Sequence, residues 1–214
     1  SVATLDDGPH RRRKEMFLSM MAPEAVERMA DMFEAEWRSR LPQWQGGREI
    51  VFFDEMTAVV TRSVCGWVGI PVGEREAAER TREFAAMIDG AGSVGPRNWR
   101  GRWLRRRTER WAREIVRSVR SGRVSASEGS ALSIIADHRD ENGAVLSDHI
   151  AAVELINVLR PTVAVDRFIT FAALALHQHP QSRLFVDAGT DETLEAFAQE
   201  VRRFYPFFPV VGGQ

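Results

Sequence analysis

Apolar residues recur along this chain mostly at intervals of three and four, the spacing that lines one face of an α-helix. After the turn at Asp6, Asp7 and Gly8, residues 9–21 read as a helix with Met16, Phe17 and Met20 on its apolar face. Residues 24–40 follow, led by Pro23, with Val26, Met29, Ala30, Phe33 and Trp37 as a core-facing stripe and Pro42 marking the stop. Gly46 and Gly47 then break the chain. Residues 49–67 predict another helix, although the run Ile50-Val51-Phe52-Phe53 leaves a strand start open. Further helices are predicted over 74–89, ending in the glycine-rich GAGSVGP, over 98–120 and over 125–138, with a turn over 141–144. Ser147 caps a long helix whose body, residues 153–176, reads as one buried span ended by His177, His179 and Pro180. A last helix over 191–204 is halted by Pro206. No internal repeat, low-complexity tract or linker divides the sequence, so the pattern predicts an all-α fold with residues 1–214 in a single domain.

One position breaks the pattern. In VELINVLRPTVAVDRFITFAALAL, Arg160 and Pro161 sit side by side at the centre of the buried helix. Proline removes one backbone donor and presses its ring on the carbonyl four residues back, here Asn157, at about 3 kcal/mol. An arginine among Leu155, Ile156, Leu159, Val163 and Val165 adds a further penalty if it enters the apolar interior without an anion. Two readings stay open: a solvated stripe of Glu154, Asn157, Arg160, Ala164 and Arg167, or a buried arginine awaiting an anionic partner. The stripe accounts for Arg160 and gives no reason for Pro161.

Net charge excludes one broad class. Against 30 Asp and Glu stand 29 Lys and Arg, a formal charge of -1, so the molecule as a whole is not built to hold a polyanion. The lone Cys65 excludes an internal disulfide framework and any multi-cysteine metal site, and reads as a buried thiol in a reducing, cytoplasmic compartment. No charged-then-apolar leader opens the chain, and its most apolar stretch, 168–176, is too short to span a bilayer, so no membrane anchor is expected. Both ends read as cut, and the expectation is a fragment.

Four constellations carry candidate chemistry. The run His10 to Lys14 wraps around a helix and puts His10 and Lys14 on one side a turn apart, which suits a solvated face or a small bound polyanion. In RNWRGRWLRRRTERWAREIVR, Trp99, Trp103 and Trp111 interleave with arginines, as in proteins that stack bases while tracking phosphates. The i, i+4 pairs Arg105–Glu109 and Arg110–Glu114 favour an exposed structural helix, and an all-helical nucleic-acid-binding or regulatory module stays as the alternative. His177 and His179, two apart, point to different sides of a helix and predict no metal site. Glu200 and Arg203 can pair, and the FYPFFP segment after them puts Phe207 and Phe208 in a rigid apolar turn suited to lining a pocket.

LINVLRPTVAV, FAALALHQHP and FAQEVRRFYPFFP, at their spacing, resemble the fatty-acid hydroxylase branch of the cytochrome P-450 superfamily, the bacterial peroxygenases and related fatty-acid decarboxylases. HRRRKEMFLSMMAPE and GPRNWRGRW look like the same branch. The similarity covers the whole chain and about the middle half of a family member; Arg-Pro at this place is specific to the branch, and Glu-x-x-Arg marks the superfamily. The resemblance implies an all-α middle portion of the cytochrome P-450 fold, an incomplete haem-thiolate domain. It implies hydroxylation, or decarboxylation, of fatty acids near the carboxylate, with haem b as cofactor, and fatty acid and hydrogen peroxide as partners. No redox partner, nucleic acid or membrane anchor is implied.

Most of the superfamily carries an acid–alcohol pair where this chain reads Arg-Pro. The likeness makes Arg160 and Pro161 the catalytic pair: Arg160 binds the substrate carboxylate, which itself serves as general acid–base group, and Pro161 opens the helix for peroxide. Arg160, Ile88, Phe207, Phe208 and Val210 match substrate-binding positions. His10 and Lys14 match residues near the haem propionates, and Glu200 with Arg203 match a structural pair that braces the haem-side core. Three departures stand out. Ala3 occupies a place where relatives often carry Gln or His, and Phe208 stands where a small glycine is usual in one form. The axial cysteine is expected beyond Gln214, because Cys65 is in the wrong context, so the chain alone is expected to be inactive.

Overall fold

The computed structural model describes residues 7–47, 49–140 and 142–207, for Asp7 and Pro9 the backbone alone. Among these residues the regular structure is helical, apart from one isolated antiparallel bridge between Arg139 and Val145. Two compact units divide the chain, one from the described residues of Ser1–Ile50 and Thr57–Ala164, the other from those of Val51–Met56 and Val165–Gln214.

In the first unit, α1 (Asp7–Met20) is followed by α2 (Pro23–Gln45) and by the greater part of α3 (Phe52–Val68). Then come α4 (Glu74–Asp89), α5 (Pro96–Arg120), α6 (Ala131–Asp137) and α7 (Asp148–Val163). Helices α4, α5 and α7 pack on one another, α6 rests on α5 and α7, and α1 rests on α6. The reason is visible in α7, whose Ala151, Ala152, Leu155, Ile156, Val158, Leu159 and Val163 are all buried. Each buried Leu or Ile of this kind contributes about 1.5–3 kcal/mol through area removed from water. The corner between α4 and α5 requires its glycines: a Cβ on Gly101 would lie 2.8 Å from the Ala86 carbonyl oxygen, and one on Gly90 2.9 Å from the same atom.

Helix boundaries differ from the expected ones in instructive places. Helix α2 continues through Pro42 to Gln45, its last turns carrying an edge-to-face contact of Trp37 with Trp44 at 5.2 Å. Its face is also rotated from the predicted stripe. Trp67 Nε1 donates to the Ala25 carbonyl at 2.7 Å and Arg62 Nε to Glu36 at 2.7 Å, so α3 meets the Ala25–Glu36 side, and Val26 is 56 % exposed. The β-branched run resolves as a helix start at Phe52, not a strand. Helix α6 is shorter than predicted because Ser130 caps it, accepting from the Ser133 amide.

The buried span expected over 153–176 is two helices. Helix α7 stops at Val163, two residues past Pro161, and α8 (Asp166–Gln178) begins three residues later. Proline cannot donate to Asn157, so the ladder is already broken one turn before the helix ends. In the second unit α8 leads through a short 3-10 turn, Pro180–Ser182, to α9 (Arg183–Ala188) and α10 (Asp191–Phe204), and α10 packs on α8 and α9. Tyr205 stacks on Phe171 at 5.1 Å, and its hydroxyl lies 3.1 Å from Gln178 Oε1. Among the described residues no helix is long and apolar enough to cross a membrane.

Candidate functional site

Helix α7 begins firmly. The Ser147 hydroxyl accepts from the Ile150 amide at 3.3 Å, and Asp148 in the first turn receives Arg117 at 2.7 Å and Arg120 at 2.8 Å. The bond from Arg117 holds the Asp148 carboxyl below the usual carboxylate range, with Arg120 adding to it. One turn further, Glu154 is fully buried. Arg13 Nη1 donates to its Oε1 at 2.6 Å and Asn157 Nδ2 to its Oε2 at 2.8 Å. The solvated stripe through Glu154 and Asn157 is therefore overturned: its first member is an interior carboxylate whose charge is met by an arginine from α1. Sequence reading missed this pair, although a single acid inside the apolar run VELINVL was its signal.

Arg160, six residues on, has different surroundings. It is half-buried, and among the described residues no carboxylate forms an ion pair with it. Burial pushes its guanidinium pKa down, and the positive charge of Arg105 on α5 pushes it further the same way. Both effects penalise an uncompensated cation, and both turn in favour of an arriving anion. Arg105 itself is bound to Glu109 at 2.8 Å, as predicted, whereas Glu114 takes Arg123 at 3.2 Å in place of the predicted Arg110. Pro161 is exposed in the last turn of α7, where the Ala164 amide donates to the Arg160 carbonyl at 3.1 Å and the Thr162 hydroxyl to the Val158 carbonyl at 2.8 Å. Ile88 is buried near the end of α4, the helix that packs on α5 and α7.

His10 and Lys14 are both exposed on α1 while Arg13 between them turns inward to Glu154. That leaves a histidine and a lysine one turn apart on a free helix face, a donor pair that fits a carboxylate-bearing group such as a haem propionate. The axial position is another matter. Cys65 is fully buried in α3, and burial first, then the Glu76 carboxylate, pushes its thiol up to about 12. A thiol that holds its proton so firmly inside a helical core does not fit a haem-thiolate ligand. Among the described residues no group of three or more His, Cys, Asp and Glu side chains could hold a metal ion.

In the second unit, Arg203 grips Glu200 with two bonds, Nε to Oε2 at 2.7 Å and Nη2 to Oε1 at 2.5 Å, and both side chains are exposed. The bond from Arg203 holds the Glu200 carboxyl below its usual range. The pair borders an apolar cavity of 440 Å³ whose walls include Phe185, Phe197 and Phe204. Phe207 lies 5.4 Å from Phe168 by ring centroids, and the Arg167 guanidinium stands 5.7 Å from its ring and 5.9 Å from that of Phe53. Phe208, Val210 and Ala3 lie outside the described residues.

The arginine-rich α5 also holds an internal network that sequence reading missed. Glu83 on α4 is buried with Arg80, accepts the Thr108 hydroxyl at 2.7 Å and lies 3.2 Å from Arg107. Trp111 donates its indole N–H to Glu76 at 2.5 Å and has the Arg80 guanidinium 4.9 Å over one face of its ring.

No protein-family model matches the chain. Solved structures do. Cytochrome P450SP alpha (CYP152B1) in complex with (R)-ibuprophen is similar at 48 % identity and a TM-score of 0.92, over 97 % of this chain and 51 % of that one. Cytochrome P450EX alpha (CYP152N1) with myristic acid is similar at 40 % identity and a TM-score of 0.90, over 98 % and 50 %. A variant of cytochrome P450 OleT in complex with arachidonic acid is similar at 26 % identity and a TM-score of 0.90, again over 98 % and 50 %. The chain thus spans about half the length of each of these proteins. With this helical architecture and these identities, it belongs to the cytochrome P450 superfamily, in the CYP152 branch that holds P450SP alpha, P450EX alpha and OleT.

Proposed function

We propose that the protein to which these residues belong hydroxylates fatty acids beside their carboxylate with hydrogen peroxide, and that the carboxylate bound by Arg160 is the general acid–base group. The observation that carries this reading is the half-buried guanidinium of Arg160, which has no ion-paired carboxylate among the described residues and a second cation, Arg105, nearby. Other buried arginines of the unit, Arg13 and Arg80, have a carboxylate of their own at 2.6 Å and 3.1 Å. Myristic and arachidonic acid, bound in structures of two similar proteins, have a head group of the required kind.

A planar guanidinium holds a carboxylate by two parallel N–H···O bonds and so fixes the first carbons of the chain as well as the head group. Held there, one carboxylate oxygen takes a proton from one peroxide oxygen and returns it to the other, which leaves as water, while the remaining oxygen is inserted into a C–H bond. Haem, if bound, would supply the oxidising chemistry, and His10 and Lys14 are the residues of this chain that would suit its propionates. Ile88 on α4 is the residue we propose as apolar wall of the acyl site, and the likeness in sequence makes Phe207, Phe208 and Val210 further substrate-binding candidates. Decarboxylation is the other outcome of the same carboxylate placement: with hydrogen peroxide as the two-electron oxidant, a hydrogen is removed from the second carbon beyond the carboxylate and the head group leaves as carbon dioxide, giving a terminal alkene and two waters.

The test is turnover of myristic acid with hydrogen peroxide by the haem-loaded full-length protein and by its Arg160→Ala and Arg160→Lys variants. Loss of the bidentate partner is expected to lower kcat/KM by about 100-fold or more in Arg160→Ala, with partial retention in Arg160→Lys, which keeps the charge without the fork. Undiminished turnover in Arg160→Ala ends the proposal.

A further inference from the structure

Apart from Arg105, the acyl reaction leaves the arginines along α5 unused, and five guanidinium groups, those of Arg80, Arg107, Arg110, Arg113 and Arg117, line one groove of 460 Å³ between α4 and α5. The four on α5 recur at three- and four-residue spacing and cover about 15 Å of one helix face. Glu114 is the sole carboxylate of this lining and is drawn to Arg123 at 3.2 Å. The acids that balance Arg80 and Arg107 lie elsewhere: Glu79 and Glu83 line a separate depression beside Trp103. Asp148, which holds Arg117, belongs to the first turn of α7.

The groove is under-satisfied as well as positive. Arg80 is 4 % exposed, and while its Nη1 lies 3.1 Å from Glu83, its Nε makes no hydrogen bond; the buried Nε of Arg113 makes none either, although its Nη2 lies 3.0 Å from His149 Nδ1. A guanidinium can only donate, so these groups call for an acceptor-rich anion. A monocarboxylate answers one fork. A tetrahedral dianion presents acceptors in several directions, which matches arginines that approach from α4 and from successive turns of α5. Nucleic acid fits less well, because one face of Trp111 is covered by Arg80 and its indole N–H is committed to Glu76. We propose that the α4–α5 groove is a binding site for a phosphate dianion, either free or at the head of a phosphomonoester lipid.

The experiment titrates inorganic phosphate into the full chain by calorimetry at constant ionic strength. In parallel, phosphatidylcholine vesicles with and without phosphatidic acid are tested by co-sedimentation. Saturable one-to-one binding is expected, weakened about tenfold or more by Arg110→Gln and by Arg113→Gln, since each removes charge-assisted bonds. Arg102→Gln, an exposed arginine of α5 outside the lining, should leave it unchanged. Arg110 is exposed, so its variant keeps the fold even if Arg113→Gln does not. Binding to the phosphatidic acid vesicles alone, with the same dependence on Arg110, assigns the lipid source. Absence of saturable binding in both arms overturns the proposal, as does an equal loss in Arg102→Gln, which would mark general screening.

Discussion

The two ends of α7 are built on opposite plans. The N-terminal half has a hydroxyl cap, an aspartate held by two arginines, and a fully buried glutamate met by Arg13 and Asn157. The C-terminal half has an arginine with no ion-paired acid among the described residues, a proline that withholds a backbone donor, and a helix end two residues later. Both halves bury apolar side chains equally well, so the contrast lies in the polar groups alone. Where polar groups are matched they fix the fold; where one is left unmatched, its electrostatic penalty becomes available to a ligand. Along this single helix the two halves thus differ in whether each charge is answered by an ion pair among the described residues.

Breaking the matched half should have the largest effect. Glu154→Gln leaves Arg13 buried without its counter-charge and is expected to destabilise the chain by about 3–5 kcal/mol in chemical denaturation. The double variant Arg13→Met with Glu154→Leu should recover most of that; a single variant costing under about 1 kcal/mol would show that the pair is not the anchor. Next comes Pro161→Ala, which restores a donor toward the Asn157 carbonyl and is expected to raise stability by about 1–3 kcal/mol. Hydrogen exchange should show the new amide at 161 protected, and a loss of stability would mean that packing requires the break.

A smaller effect belongs to His138, the C-cap of α6, whose pKa is lowered by burial and then by the charges of Arg13 and Arg12. The folded chain therefore prefers the neutral ring. Its contribution is complete above the unfolded value of about 6.5 and is lost as pH falls through the lower folded value, because the unfolded chain then binds the proton more readily. Urea midpoints at about pH 8 and about pH 5 should differ less in His138→Gln than in the parent. An unchanged difference would remove the histidine from the account. The smallest change is expected for Arg160→Met, within about 0.5 kcal/mol of the parent, since no ion pair is broken and the aliphatic stem is preserved. A cost above about 1 kcal/mol would reveal a partner inside the fold and dissolve the comparison.

Much of this architecture was legible beforehand. Three- and four-residue spacing predicts helices throughout, Ser147 reads as a cap, and the Arg-Pro pair stands out in the sequence itself. The spacing misjudged α2 because an apolar stripe specifies that a face is to be covered, not which neighbour covers it; α3 chose the side of Ala25 and Glu36. It also merged α7 with α8, since both read as apolar and the consequence of Pro161 depends on how the next turn packs. Glu154 was misread for a related reason: its helical spacing from Arg160 suggested a common polar stripe, while its partner lay 141 residues away in α1.

What the amino-acid order determined by itself was local: helical period, caps, the proline break, and the presence of an arginine in an apolar run. Only the tertiary structure decided which charges are answered. Backbone propensity and hydrophobic spacing act over a few residues, whereas an ion pair depends on which distant helix brings its counter-charge. In that way Arg13, in the middle of a basic run, became an interior strut, and Arg160, in the middle of a core helix, has no ion-paired carboxylate among the described residues.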